Sequence, residues 1–439
     1  MNDPKNVVVV GGGFAGTTVA RALERTLPAD HRVVLISEES YATFNPLLAE
    51  VVGAAVFPEQ VVVPIRQMVG ARADSQFVMG RVTNIDSERR CLVASTLAGR
   101  QEIAYEHLVL AFGTRANLDL VPGLEQHALP LKLVGDAMAV RNRVLQRVAR
   151  IELERDLVVR QRLGHFIVIG GGFSGVEVAG SIADFLRGAL RYYPRVEPHE
   201  LKVTLLQDAD RLLPELPAPL GDAAARSLAA SGVEVRLQER AMQVHAEGVT
   251  LTGGAFILGA TVICTIGTRP NPLAEQLALP KERGRIAVAT DLSVPGARGL
   301  WAIGDCALVP NAAGGICPPT AQFAVAQAKA LAHNIVAAIA GRPTRAFAHR
   351  SRGMMAITGH LQGVAQLFGL RLAGLPAWLL WRAYYLLLMP TLGRKLRIGL
   401  EWTWGMFFPA DITHLRFTRT SEADAEPAEE PQTVVSITR

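Results

Sequence analysis

Two kinds of apolar pattern organise the chain. Residues 7–10 are four valines in a row, and residues 165–169 read His-Phe-Ile-Val-Ile. Short unbroken apolar runs of this length fit strands buried on both faces of a parallel sheet. Each run meets glycines at once and is followed by helical periodicity, over 15–25 and 176–186. Similar runs predict strands at 32–36 and 108–113, and again at 202–206, 232–237 and 260–266. A β-meander is expected over 76–99, a hairpin over 243–251, and helices over 136–159, 220–231 and 321–339. Strands alternating with helices imply an α/β fold with parallel sheets.

The glycines have a fixed spacing. Gly11, Gly13 and Gly16 recur as Gly170, Gly172 and Gly175, each trio between a strand and a helix. In a dinucleotide-binding unit the first glycine permits a tight turn. The second lets the backbone approach a pyrophosphate, and the third lets helix and strand pack closely. The helix N-terminus adds free N–H groups and partial positive charge for the phosphates. Phe14 and Ala15 complete the first turn, Phe173 the second. Two such units suggest two dinucleotides held against each other: a non-covalent FAD on the first and a nicotinamide cofactor on the second.

An acid at the end of the next strand normally meets the adenosine ribose. In the first unit Ser37 stands there and Glu38 follows, so Glu38 is assigned that contact. In the second unit the residue is Gln207, with Asp208 next and Arg211 nearby. A neutral glutamine repels a 2′-phosphate less than a carboxylate does, so NADH is the expected cofactor and NADPH is tolerated. Ala111 and Gly113 lie at the crossover into the second domain, and Gly267 marks the return. Gly304-Asp305 ends a short apolar strand, where a carboxylate can bind a ribitol hydroxyl of FAD. Pro318-Pro319-Thr320 opens the helix that begins at Ala321. Proline suits a helix start, Thr320 suits an N-cap, and the positive helix end would face the flavin. Phe44-Asn45-Pro46-Leu47-Leu48, with Glu50, begins an apolar segment able to cover a flavin edge.

These marks divide the chain into a first FAD-binding part (1–115), a nicotinamide-binding domain (116–285) and a second FAD-binding part (286–342). A C-terminal region (343–420) and an acidic tail (421–439), expected to be disordered, follow. The 439 residues suffice for two or three domains, and 49% hydrophobic against 19% charged residues excludes a disordered chain. A net charge of +5 suits an anionic membrane surface as well as nucleic acid, and no nucleic-acid partner is assigned. Over 342–419, eleven Lys/Arg face two acids, Glu401 and Asp411. This stretch holds two apolar segments, 375–389 and 396–408, with four of the five tryptophans. Each is too short and too interrupted to span a bilayer. Aromatic residues beside arginine and lysine suit helices lying in the membrane interface. Peripheral attachment to the cytoplasmic face of the cell membrane is therefore expected, and a homodimer through the same region. No signal peptide is expected. Four cysteines without C-x-x-C spacing argue against a disulfide scaffold or a zinc site, and no metal is assigned.

Residues 11–16, 44–48 and 170–177, Gly304-Asp305, Pro318-Pro319-Thr320-Ala321-Gln322 and the aromatic, basic C-terminus together resemble the type II NADH dehydrogenases. These are single-subunit, non-pumping NADH:quinone oxidoreductases. The resemblance implies two Rossmann-like domains in a glutathione reductase-like arrangement plus a C-terminal membrane-associating segment. It implies hydride transfer from NADH to FAD, then two electrons to a membrane quinone. It also implies roles: Gln322 would line the quinone pocket, and Glu177 matches a glutamate near flavin and nicotinamide. The chain departs from the pattern at Ser37, at Gln207 and at Ala326, where the family often has a second glutamine; Gln327 falls one place late. A sulfide:quinone oxidoreductase would need cysteines at the flavin, and Cys317 is the one candidate. A soluble reductase of a ferredoxin-like carrier would not need the tryptophan-rich C-terminus. A nucleotide-bound sensor would turn over slowly. Flavin-to-disulfide chemistry is disfavoured, since no cysteines four residues apart lie between Glu38 and Arg90.

Overall fold

The valine run lies in the strand Lys5–Val10, the middle one of the five parallel strands of a seven-stranded sheet. A computed structural model describes residues 4–408 and 410–415; the tail assigned to 421–439 lies outside them. The sheet order is Leu300–Ala302, His107–Leu110, Lys5–Val10, His31–Ser37, Gln76–Asp86, Cys91–Thr96, Gly99–Ala104. The first five strands run parallel and the last two return antiparallel, as the expected meander. Helices cover the parallel part, so Val7, Val8 and Val9 are fully buried although they point to alternate faces. The second glycine unit builds a five-stranded parallel sheet ordered Ala128–Pro130, Thr261–Cys264, His165–Ile169, Lys202–Gln207, Val233–Leu237. The chain leaves and re-enters the first domain through Thr114–Ala116 and Thr268–Pro270, which pair antiparallel. Gly113 and Gly267 precede these strands in left-handed conformation, with φ +65° and +70°.

Both glycine turns use the same close contact. Gly11 and Gly170 have φ +116° and +111°. A Cβ on Gly16 would stand 1.8 Å from the Gly11 carbonyl oxygen, and one on Gly175 1.7 Å from that of Gly170. The helices Phe14–Thr26 and Phe173–Ala189 start there because only a residue without a side chain lets them pass the strand end.

Two features differ from the sequence expectation. The helix expected over 136–159 is two helices, Val134–Leu153 and Leu157–Leu163. Asp156 starts the second by accepting N–H bonds from Val158 and Val159, at 2.8 and 3.3 Å. The C-terminal region, expected to be two interfacial apolar segments, builds a subdomain. Gly353–Gly359, Gln362–Leu367 and Leu370–Ala373 form an antiparallel sheet, followed by helices Leu375–Leu388 and Leu392–Trp404. That sheet packs on the second glycine helix, where a Cβ on Gly180 would stand 2.4 Å from the Thr358 carbonyl oxygen. Trp378, Trp381 and Trp402 are buried in the resulting core, and only Trp404 of the four is exposed. The tryptophans thus mark a protein core more than a membrane belt.

The glycine contacts separate packing from ligand binding. Gly175→Ala should destabilise the protein by about 1–3 kcal/mol, the usual range for overpacking. Gly172→Ala, with nothing within 4 Å of the added carbon, should unfold at the wild-type temperature but weaken NADH binding. Thermal unfolding with and without NADH tests both.

Candidate functional site

A cavity of about 960 Å³ is reached by the first residue of each glycine helix. Phe14 and Thr17 line it from the first glycine helix, Pro46 from the short turn Asn45–Leu47, and Phe173 from the second glycine helix. Thr320, Ala321 and Gln322 line it from the start of helix Ala321–Ile339, and Tyr384 and Tyr385 from the C-terminal helix. Phe14 meets Phe44 edge-on at 5.5 Å between ring centroids, and Phe44 meets Tyr385 at 5.9 Å. The cavity therefore gathers Phe14, Pro46, Phe173, Thr320, Ala321 and Gln322 from the sequence-predicted set.

The geometry fits dinucleotides at both turns. A Cβ on Gly13 or Gly172 would meet nothing within 4 Å, whereas at Gly11, Gly16, Gly170 and Gly175 it would collide with protein. Only the middle glycines face open space, where a pyrophosphate needs to approach the backbone. Gly11 packs on the Ala111 carbonyl, and Gly304 packs on Ala15 with φ +72°. Asp305 stands in the turn Gly304–Cys306, part-exposed and 4.0 Å from Lys132 Nζ. Asn45 opens the turn beside Pro46; Gly113 and Gly267 flank the crossover.

The strand ends are occupied differently in the two units. Ser37 is buried under Gly12, and the Glu38 carboxylate forms ion pairs with Arg81 and Arg115, at 3.1 and 3.0 Å. Gln207 is buried, and its Oε1 accepts the Gly171 N–H at 2.9 Å. Its oxygen is thus spent on the glycine loop, which leaves its amino group as the free donor. Thr320 holds the N-cap position of its helix without a side-chain cap bond. The late glutamine, Gln327, is buried and its Oε1 accepts the Gly304 N–H at 2.8 Å, bracing the turn that carries Asp305. Ala326, not Gln327, lines the cavity.

Beside the cavity lies a buried acidic cluster. Glu177 accepts the Ile357 N–H at 3.3 Å, and its pKa is pushed up to about 8, first by burial and further by the nearby Glu50. The Tyr385 hydroxyl is raised by burial and by Glu177. Glu50 is buried, accepts a hydrogen bond from the Trp402 indole and lies 3.7 Å from Arg382. Burial raises the Glu50 carboxyl and lowers the Arg382 guanidinium, which stacks over Trp378 and Trp402 at 3.9 and 4.9 Å. Arg382 therefore serves the protein interior. Glu50, Trp381, Arg382 and Tyr385 were not assigned from the sequence. The available signal was a single charge inside each apolar run, which a buried pair explains.

The cysteines do not supply a thiolate. All four are free and buried. Burial pushes the Cys306 thiol up to about 12 and raises Cys317 as well.

Comparison with known proteins places this geometry in a family. The family model of the pyridine nucleotide-disulphide oxidoreductases matches residues 5–328. The type II NADH:quinone oxidoreductase Ndh of Mycobacterium tuberculosis is 30% identical over 413 residues, covering 90% of this chain and 87% of that protein. The chain belongs to the type II NADH:quinone oxidoreductases, within the pyridine nucleotide-disulphide oxidoreductase family. A solved structure of NDH2 from Plasmodium falciparum in complex with NADH superposes with TM-score 0.86 at 16% identity, covering 93% of this chain and 99% of that one. The sulfide:quinone oxidoreductase of Aquifex aeolicus superposes with TM-score 0.68 at 17% identity, covering 94% and 100%. Both likenesses report the fold.

Glu177 gives this member a pH signature. The folded chain keeps the Glu177 proton until about pH 8, whereas an unfolded glutamate releases it near 4.5. Stability should therefore fall as pH rises between those values and level off above them. Glu177→Gln should be progressively more stable than wild type from about pH 5 to about pH 8, read as the difference in melting temperature across that range.

Proposed function

We infer that the protein is an FAD-dependent NADH:quinone oxidoreductase that works without proton pumping. The observation that carries this reading is one cavity lined by Phe14 and Phe173, the first residues of the two glycine helices, and by the Gln322 helix start. Bound FAD supplies the two-electron redox chemistry. The residues supply position and dryness. Gly11, Gly13 and Gly16 hold its pyrophosphate, Glu38 its adenosine ribose and Asp305 its ribitol. Gly170, Gly172 and Gly175 hold the nicotinamide dinucleotide, with Gln207 at its ribose. Phe14, Phe44 and Phe173 wall the space between. Gln322 takes a quinone at the helix start, and Glu177 lies where the nicotinamide side of the cavity meets the C-terminal helices. The free amino group of Gln207 makes NADPH an acceptable second donor. Purified protein should be yellow, and NADH should reduce a short-chain quinone in the presence of detergent at least tenfold faster than sulfide does. Reduction of the flavin by sulfide without NADH would overturn this reading.

The membrane is the proposed partner surface. No helix among the described residues is long and apolar enough to cross a membrane. The last helix instead carries Leu392, Leu396, Leu400 and Trp404 every four residues, each more than 60% exposed. Leu375, Leu379 and Leu387 repeat the interval on the helix before it, all exposed. An apolar stripe of this extent needs a cover, and the flanking Arg394, Lys395 and Arg397 suit anionic headgroups. The surface would dock peripherally on the cytoplasmic face; a homodimer would use the same stripes. Leu396→Asp with Leu400→Asp should release the protein from anionic vesicles in a flotation assay. High salt alone should weaken wild-type binding without abolishing it. Unchanged flotation of the variant, with a monomer-to-dimer shift instead, would assign the stripes to a second copy.

A further inference from the structure

We propose that His349 is a positioning residue that fixes the amide of Gln322 so that its amino group faces the cavity as a donor to a carbonyl oxygen. The inference rests on the quinone reading of that cavity and deepens it.

The backbone around Gln322 determines which way its amide faces. Its Oε1 lies 3.0 Å from the Arg352 backbone nitrogen. A backbone N–H can only donate, so the atom facing it is the oxygen. The amino group then points away from Arg352, and Gln322 lines the cavity. One hydrogen bond leaves the last torsion of a glutamine broad. The second partner is His349, whose Nε2 lies 3.4 Å from the same oxygen. With the hydrogen on Nε2, both contacts are donors to one acceptor, and the amide has no equivalent flipped state.

His349 also lines the cavity, and it is held on its protein-facing sides. Its backbone N–H donates to Asn311 Oδ1 at 3.1 Å, and Asn311 Nδ2 donates to its carbonyl at 2.8 Å. Phe323 meets the imidazole edge-on at 5.1 Å, and Phe347 stacks at 6.4 Å. Burial and Arg352 hold the imidazole below its ordinary value, so the neutral ring carries a single N–H at pH 7. A ring pinned by a reciprocal amide, with two aromatic neighbours, costs little further ordering when it directs Gln322. Ala326, on the same helix and the same cavity wall, has no polar group to share the task.

The geometry selects its ligand. A donor fixed in place favours an acceptor with a carbonyl oxygen and is indifferent to one without, such as ferricyanide. His349→Phe keeps the ring packing and removes the donor; His349→Gln keeps a donor at similar reach. His349→Phe should raise the KM for a short-chain quinone about threefold to tenfold, the effect of one hydrogen bond. Flavin content, single-turnover flavin reduction by NADH and the ferricyanide rate should stay near wild type. His349→Gln should restore most of the quinone KM. Because His349 acts through Gln322, the double variant His349→Phe/Gln322→Leu should be no worse than Gln322→Leu alone. Additive losses in the double variant, or no recovery in His349→Gln, would overturn the positioning role. Unchanged quinone kinetics in Gln322→Leu would instead overturn the quinone site itself, and this proposal with it.

Discussion

A carbonyl oxygen occupying the place of a missing side chain is the contact on which the architecture rests. The Gly11 and Gly170 oxygens stand where a Cβ of Gly16 and Gly175 would be. That contact brings each helix start against the end of its central strand. Free N–H groups then converge in front of Gly13 and Gly172, where the surface stays open. The same contact sets the direction of Phe14 and Phe173, one residue after each open glycine, and both reach the shared cavity. A larger residue at Gly16 or Gly175 would push the helix outward and move the phosphate-binding groups and the aromatic wall together. Binding and packing are therefore one constraint here.

The C-terminal region is attached by a second kind of contact, a buried charge that cannot stand alone. Glu50 comes from the segment after the first unit, Arg382 and Trp402 from two helices more than three hundred residues later in the chain. Removing either charge would leave the other buried without its partner, a loss of roughly 3–5 kcal/mol in comparable pairs. Trp378, Trp381 and Trp402 fill the space around the pair and so face inward. The leucines are left for the outer stripe. One pair thus decides which face of each helix belongs to the protein and which is free for a partner surface.

These two contacts differ in how far the sequence discloses them. The glycine turns are local: strand, glycines and helix follow one another, so the two units and their close glycine contacts were legible. The crossover glycines and Asp305 were legible for the same reason, as ends of short apolar strands. The Glu50–Arg382 pair is non-local, and nothing near either residue names the other. The antiparallel sheet at 353–373 was missed because its alternation is broken by Gly359, Gly363 and Gly369 and its strands are short. Gln327 was read against its helix register alone. Its contact with the Gly304 N–H depends on a turn twenty-three residues upstream, which periodicity does not report. Gln207 was placed at the correct strand end, but its oxygen is taken by the Gly171 N–H, a detail only geometry supplies.

The protonation of Glu177 follows from the same arrangement. Glu50 already occupies the one nearby cation, Arg382, so a second carboxylate in that core has only the Ile357 N–H and the Trp381 indole to stabilise its charge. Burial outweighs both, and the proton stays on near neutral pH. The core beside the cavity is thereby kept free of a second negative charge. A protonated acid instead offers a hydrogen-bond donor in that core. Losing Arg382 would remove the attraction that opposes the upward shift of Glu50, leaving two acids in one core, both pushed up by burial.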